Sequence, residues 1–460
     1  MCPTFSLDPR TRDPLGFDRH IPAGGLPGIP RLRGRPLCGG GRSFVTYQCS
    51  SRLLLPPPQF SSKPPVGGGG VDVLLATSDH FGHGLFAMMQ RILNQVHLAR
   101  ANRLEPAVFL GERTFMEPQA CEYGTNSYYH APAGDNVWEY WFEQPGNYTI
   151  GASHVRGRPV ATVQVTTVEW SADAPIRSYT TRETRQRSRR AANAILGDGG
   201  RKLIKRRILQ RASRLFAPWR ARSRHILGVH LRGTDKVVRA KVPPGAYFPF
   251  IDAYISAHAA DALVFVATDD RTYRDRLVQR YGEYNVGKGA GSGSKATGRI
   301  VGLGRGYSDA TWGSNADTVF AGRQSASRSN SGYTNGLAVL FDALVLSKCD
   351  FVLMSVSAVA EFALWIAPRL WTNHLNLQVT DRFLTQPMPP WTRAMPGVSR
   401  AWTDSGRRQA VADVFCHSLA AACANETQRL YGGRFCSRCQ EEAAFAGKDL
   451  DDIQEIHRWT

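Results

Sequence analysis

Long apolar runs are missing from this 460-residue chain. Leu53-Leu54-Leu55 falls far short of the about twenty apolar residues that cross a bilayer. The opening Met1-Cys2-Pro3-Thr4-Phe5 offers no apolar core of the kind a secretory leader carries. A membrane anchor is therefore not visible in the chain. Acidic residues are also scarce: 57 Lys and Arg stand against 38 Asp and Glu, a formal charge of +19. The shortage is local. Between Arg182 and Arg224 fifteen basic residues meet only Glu183 and Asp198, an excess of 13. Such a run reads first as a solvated helical face and connector, and second as a contact for a membrane surface or an anionic acceptor. It lacks the interleaved aromatics and zinc-finger spacing of a nucleic-acid platform, so no nucleic-acid partner is expected.

Cysteine is sparse over most of the chain, and four of the nine fall in the tail as Cys416, Cys423, Cys436 and Cys439. Cys436-Ser437-Arg438-Cys439 has the spacing of half a zinc knuckle, but Cys416 and Cys423 do not supply the other half. Disulfides, unpaired thiols and zinc all stay open. Disulfides would agree with the two glycosylation sequons, Asn147-Tyr148-Thr149 and Asn425-Glu426-Thr427.

Residues 1–70 are dense in Pro, Gly and Arg, with Pro56-Pro57-Pro58 and Gly67-Gly68-Gly69-Gly70. They carry too little apolar surface to offset the entropy of ordering and read as a disordered or stalk segment. An α/β pattern begins at Val71. Val71–Thr77 reads as a buried strand, Phe81-Gly82-His83-Gly84 as a turn, Leu85–Asn102 as a helix and Ala107–Gly111 as a second strand. Aromatic residues then concentrate, most densely in Asn136-Val137-Trp138-Glu139-Tyr140-Trp141-Phe142-Glu143. Half-buried packing is the first reading of that cluster, and a wall for stacking sugar rings the second.

The basic connector spans 182–225, broken at Gly197-Asp198-Gly199-Gly200 and closed at Pro218. Strands are expected at 226–231, 262–267 and 351–354, and helices at 247–258, 271–281, 335–347 and 359–367, with a Gly/Ser-rich insertion at 288–298. The expected organisation is an N-terminal α/β domain over 71–181, the connector, a Rossmann-like domain over 226–385 and a Cys-containing extension over 386–460.

Polar residues follow the carboxyl ends of the strands in the second domain, where open α/β sheets bind ligands. One strand ends in His230-Leu231-Arg232-Gly233-Thr234-Asp235-Lys236, the next in Thr268-Asp269-Asp270, and the last in Ser355-Val356-Ser357. Together they make a candidate nucleotide-phosphate constellation. Sugar transfer from a nucleoside diphosphate builds negative charge on the departing β-phosphate, so a fixed cation there favours the transition state. Arg232 is the candidate, because its planar guanidinium holds two oxygens and keeps its charge, whereas Lys236 is a flexible point charge. Asp235 would orient either of them or close the turn. Asp269 and Asp270 can accept from ribose hydroxyls or guanine nitrogens, unless one of them caps the helix beginning near Arg271. Asp342 lies in a helix apolar nearly all round, which calls for an ion pair or a ligand such as guanine.

These words, with Ala267, Leu340-Phe341-Asp342 and Cys349-Asp350-Phe351, resemble the three donor-site motifs of the GDP-fucose fucosyltransferase superfamily. The branch of α-1,6-fucosyltransferases and nodulation fucosyltransferases, whose first motif is HxRRTDK, is the most similar. The resemblance covers roughly 226–376. It implies a GT-B architecture of two facing Rossmann-like domains, a GDP-fucose donor, inversion at the anomeric carbon, no required metal, a glycan or glycoprotein acceptor and a Golgi lumenal setting. It gives Arg232 the pyrophosphate, with His230, Asp235 and Lys236 completing the first motif. Asp269 and Asp270 match the second, and Asp342, Ser355 and Ser357 the third. Two positions depart from it: Gly233 replaces a second arginine, and Ala240 stands where the branch has an acidic residue proposed as general base. Glu139, Asp135 and Asp79 are candidates for a base from the first domain. A GT-B transferase using another nucleotide sugar, and an inert glycan- or nucleotide-binding protein of the same fold, are the alternatives.

Overall fold

The computed structural model describes residues 71–78, 84–101, 103–112, 126–146, 149–150, 155–156, 160–166, 176, 182–232, 242–284, 298–303, 331–377, 388–395, 410–411 and 414. The chain divides into two compact units, one of Met1–Gln210 with Asp317–Phe341, the other of Arg211–Ala316 with Asp342–Thr460. The basic stretch 182–225 is thus shared between the units. Among the described residues no helix is long and apolar enough to cross a membrane.

The first unit opens as the sequence indicates, with strand β1 (Val71–Ala76), helix α1 (Leu85–Ala101) and strand β2 (Glu105–Val108). β2 begins two residues earlier than expected. Its register pairs Val73 with Glu105 and Ala76 with Val108. Leu110 then leaves the ladder and gives its N–H to Asn136 Oδ1 at 2.9 Å. Pro106 is tolerated because β2 is an edge strand of the parallel sheet β2-β1-β5. Helix α2 (Trp138–Trp141) precedes a small hairpin of β3 (Thr149–Ile150) and β4 (Val155–Arg156), and β5 (Val160–Thr166) follows.

Amide side chains close the open backbone positions of this unit. Gln95 on α1 accepts from Thr77 N at 3.0 Å and donates to Thr77 O at 2.7 Å, while Asn94 makes the same pair of bonds with Ile176. The aromatic segment is core: Trp138, Tyr140, Trp141 and Phe142 are all buried. Trp141 packs edge-on to Tyr128 and Tyr140, and no space remains beside it for a side chain at Gly336, whose added Cβ would lie 2.2 Å from the indole. The packing reading of 136–143 therefore holds.

Helix α3 (Arg182–Leu196) and helix α4 (Arg206–Arg222) carry the basic stretch. Pro218 does not close α4, contrary to expectation, but lies inside it. The hydrogen bond that proline omits would reach the carbonyl of Arg214, and both residues are exposed, so water can take that position. Phe216 and Trp219 on the opposite side are buried and hold the helix down.

The second unit is built on a five-stranded, wholly parallel sheet. Its strands are β6 (His225–Leu231), β7 (Ala262–Thr268), β8 (Ile300–Val301), β9 (Phe351–Met354) and β10 (His374–Asn376), in the order β10-β9-β6-β7-β8. Numbered along the chain this is 3-2-1-4-5 read from the β8 edge, the Rossmann order. Between the strands lie α5 (Phe248–His258), α6 (Arg271–Tyr281), α7 (Ser331–Leu346) and α8 (Ala358–Ile366).

Both faces of the sheet are covered, as near-continuous apolar strands require. Leu227, Val229, Val264, Val266 and Leu353 pack with Phe250, Tyr254 and Trp391 on one face. Ile226, Leu263, Phe265, Val352 and Met354 pack with Phe216, Trp219, Val345 and Leu364 on the other. Gly228 marks a close approach, since an added Cβ would meet Leu346 Cδ2 at 2.9 Å and Cys349 Sγ at 3.1 Å. At the amino end of β6, Asp350 accepts from Ile226 N at 2.7 Å and takes both arms of Arg220 at 3.0 Å.

Candidate functional site

Strand order and register bring the three polar strand ends together. β6 pairs with β9 on one side and β7 on the other, with His230 opposite Met354 and Leu231 opposite Thr268. Arg232, Asp269 and Ser355 are the residues that follow, at the carboxyl edge of three adjacent strands. The chain reverses its direction of travel across the sheet between β6 and β9. Helices leave such a reversal on opposite faces, so a crevice opens above it.

His230 is nearly buried, at 5% exposure, and its Nε2 lies 3.4 Å from the Ser357 hydroxyl. Tyr247 is also buried and donates its phenol to the His230 carbonyl at 3.3 Å. Burial pushes that phenol above the usual tyrosine range, with the Ser355 hydroxyl opposing the push. Ser355 and Ser357 are buried, whereas Arg232, Asp269, Asp270 and Asp342 keep partial access to solvent. The arrangement has a polar buried floor and a charged rim. Asp235 and Lys236 lie outside the described residues, as do Gly233, Ala240 and Asp79.

Two residues of the constellation serve as helix caps. Asp270 Oδ1 accepts from Thr272 N at 2.8 Å and Tyr273 N at 3.3 Å at the start of α6. Ser357 accepts from Val359 N at 3.2 Å at the start of α8. The capping alternative thus applies to Asp270. Asp342 is different. Among the described residues it makes no ion pair, and burial pushes its carboxyl up to about 8, with the nearby Asp269 carboxylate adding to the rise. An acid so placed is held largely neutral at pH 7. Of the candidate bases on the first unit, Glu139 accepts from Gln144 Nε2 at 2.6 Å, and Asp135 is exposed.

Three further residues belong here, of which Thr268 alone stands in a sequence motif. Tyr247 and Thr268 back the floor, Thr268 by accepting from Asp270 N at 3.1 Å. Glu361, in the first turn of α8, is a buried carboxylate at 2% exposure. Its signal was the same as that of Asp342: a lone acid in an otherwise apolar helix.

No protein family model matches the chain, and no curated protein does. Among solved structures, the chain is similar to fucosyltransferases. Fucosyltransferase NodZ from Bradyrhizobium aligns at 11% identity and a TM-score of 0.33, over 64% of this chain and 92% of that one. NodZ alpha-1,6-fucosyltransferase soaked with GDP-fucose aligns at 13% identity and 0.33, over 65% and 93%. A mutant of Arabidopsis thaliana FUT1 in complex with GDP aligns at 11% identity and 0.33, over 65% and 70%.

Proposed function

We propose that the chain is a glycosyltransferase that takes a GDP-sugar, GDP-fucose before others, and passes the sugar to a glycan or glycoprotein. The observation that carries this reading is the meeting of Arg232, Asp269 and Ser355 on adjacent strand ends at the reversal of a 3-2-1-4-5 sheet. Arg232 holds the diphosphate. As the bond between the anomeric carbon and the β-phosphate oxygen breaks, the departing oxygen gains charge, and the guanidinium stabilises it more than it stabilises the ground state. The acceptor hydroxyl oxygen forms the new bond on the opposite face, with inversion, and gives up its proton to solvent water.

Asp342 receives the guanine. Its N–H edge is a row of donors, best matched by an ionised carboxylate, so binding lowers the raised pKa of Asp342 and releases a proton. Asp269 accepts from ribose hydroxyls, and Ser355 and Ser357 with His230 form the polar floor beneath. With Ala240 in place of an acid, the barrier is dominated by leaving-group departure and needs no strong base on the donor side. No metal is required.

Thermal stabilisation tests the donor first, because a ligand bound only by the native state raises the melting temperature. GDP and GDP-fucose should stabilise, and UDP should not. A panel of GDP-sugars and acceptors assayed for GDP release then separates a transferase from a binder. Stabilisation without release under any acceptor would leave an inert binding protein, and no stabilisation by GDP would end the reading.

A further inference from the structure

We propose that the exposed face of α4 from Arg211 to Arg224 docks the protein on an anionic lipid surface. Arg211, Arg214, Leu215, Pro218 and Arg222 are all exposed and fall at i, i+3, i+4, i+7 and i+11, a single stripe of the helix. Arg224 continues it just past the end. Arg220 is not part of the stripe, being held by Asp350. The stripe runs about 17 Å from Arg211 to Arg222 at the helical rise.

Three features separate this face from an ordinary solvated one. The first is the absence of the other sign: no Asp or Glu occurs from Gly199 to Thr234. Like charges at i and i+3, such as Arg211 and Arg214, oppose helix formation, a cost that a mixed-sign solvated face avoids. The second is that the main apolar face of α4 is already used. Ala212, Phe216 and Trp219 are buried in the protein, so α4 cannot sink into a bilayer, and contact rests on charge.

The third is the character of what lies between the arginines. Leu215, at 38% exposure, is the large hydrophobic side chain left exposed among the described residues, and Pro218, one turn on, continues that apolar strip. Among headgroups, arginines reach phosphate while a short apolar strip meets the acyl boundary. A polyanionic glycan or nucleic acid offers the same charge but no acyl boundary, and would leave Leu215 and Pro218 without an apolar partner. Charge complementarity and the apolar strip together select the lipid surface.

Sedimentation of the full chain with vesicles tests the proposal. Phosphatidylserine–phosphatidylcholine vesicles should bind it, more weakly as salt rises, and pure phosphatidylcholine vesicles should not. Each arginine near an anionic surface contributes about fivefold in partitioning, so Arg211→Gln/Arg214→Gln/Arg222→Gln should weaken binding about a hundredfold. A control of equal charge, Arg10→Gln/Arg12→Gln/Arg19→Gln, should bind within about threefold of the parent. Arg211, Arg214 and Arg222 lie outside the proposed donor site, and unchanged thermal unfolding checks that each variant is folded. Equal losses from the two triple variants would overturn the proposal. So would capture by heparin that depends on the α4 arginines while vesicles fail to bind.

Discussion

Asp342→Asn tests the largely neutral acid on α7, and the structure sets both the sign and the size of its effect. Burial first, and Asp269 second, raise the carboxyl from 3.8 to about 8. The folded protein therefore keeps a proton that the unfolded chain has lost, and stability falls as pH rises between those two values. About four units at 1.36 kcal/mol each set a ceiling of roughly 5–6 kcal/mol. The residue retains some solvent access, which screens the charge and brings the expectation to about 2–3 kcal/mol.

Asparagine has the same shape and cannot ionise, so it removes this dependence. Urea unfolding followed by tryptophan fluorescence should find parent and variant alike near pH 4. The variant should be more stable by about 2–3 kcal/mol near pH 9. Asp269→Asn removes the smaller cause and should recover a minor part of the same difference. A gap between parent and Asp342→Asn that stays constant from acid to alkali would refute the argument. Binding has the opposite sign: GDP affinity of the parent should rise with pH up to about 8 and release a proton, seen as a buffer-dependent enthalpy in calorimetry.

The remaining expectations are simpler. Arg232→Ala should lower turnover with GDP-fucose by about 10²–10³-fold without altering the melting temperature, Arg232→Lys should recover only part of it, and a chelator should change neither result. Gly228→Ala should cost about 1–3 kcal/mol in unfolding free energy through its contacts with Leu346 and Cys349, with partial recovery when Cys349→Ala is added. Asp350→Ala should destabilise by about 1–3 kcal/mol, since Ile226 N and Arg220 both lose their acceptor, and turnover per folded molecule should not change.

How much could be read beforehand follows the physics of each element. β6, β7 and β9 were legible because strands buried on both faces are continuous apolar runs. β8 and β10, with two and three residues, are too short for any pattern, yet they complete the strand order that identifies the crevice. β5 is not among the expected strands although Val160-Ala161-Thr162-Val163-Gln164-Val165-Thr166 is rich in β-branched residues. α4 outlasted its proline because a single missing hydrogen bond on a solvated side is weaker than the burial of Phe216 and Trp219. Asp342 stood out from sequence because an acid in an apolar helix is a conflict that packing must resolve.

What sequence alone could not divide was capping from binding, because both draw on the same short polar residues at the same strand-to-helix turns. Geometry divides them by lone pairs. Asp270 Oδ1 already receives two backbone N–H groups, which leaves Oδ2 alone for a ligand. Ser357 accepts one N–H and meets His230 with the same oxygen; a hydroxyl carries one proton and two lone pairs, so it can cap and still complete a network. Asp269 stands one residue before that cap, and its charge reaches the acid on α7. Of the adjacent carboxylates, Asp269 is thus the one electrically coupled to the proposed guanine contact, and Asp270 is the one that caps the start of α6. Replacing either by asparagine should separate the two roles: Asp270→Asn keeps a capping oxygen and should leave the pH dependence of GDP affinity intact, whereas Asp269→Asn should shift it toward lower pH.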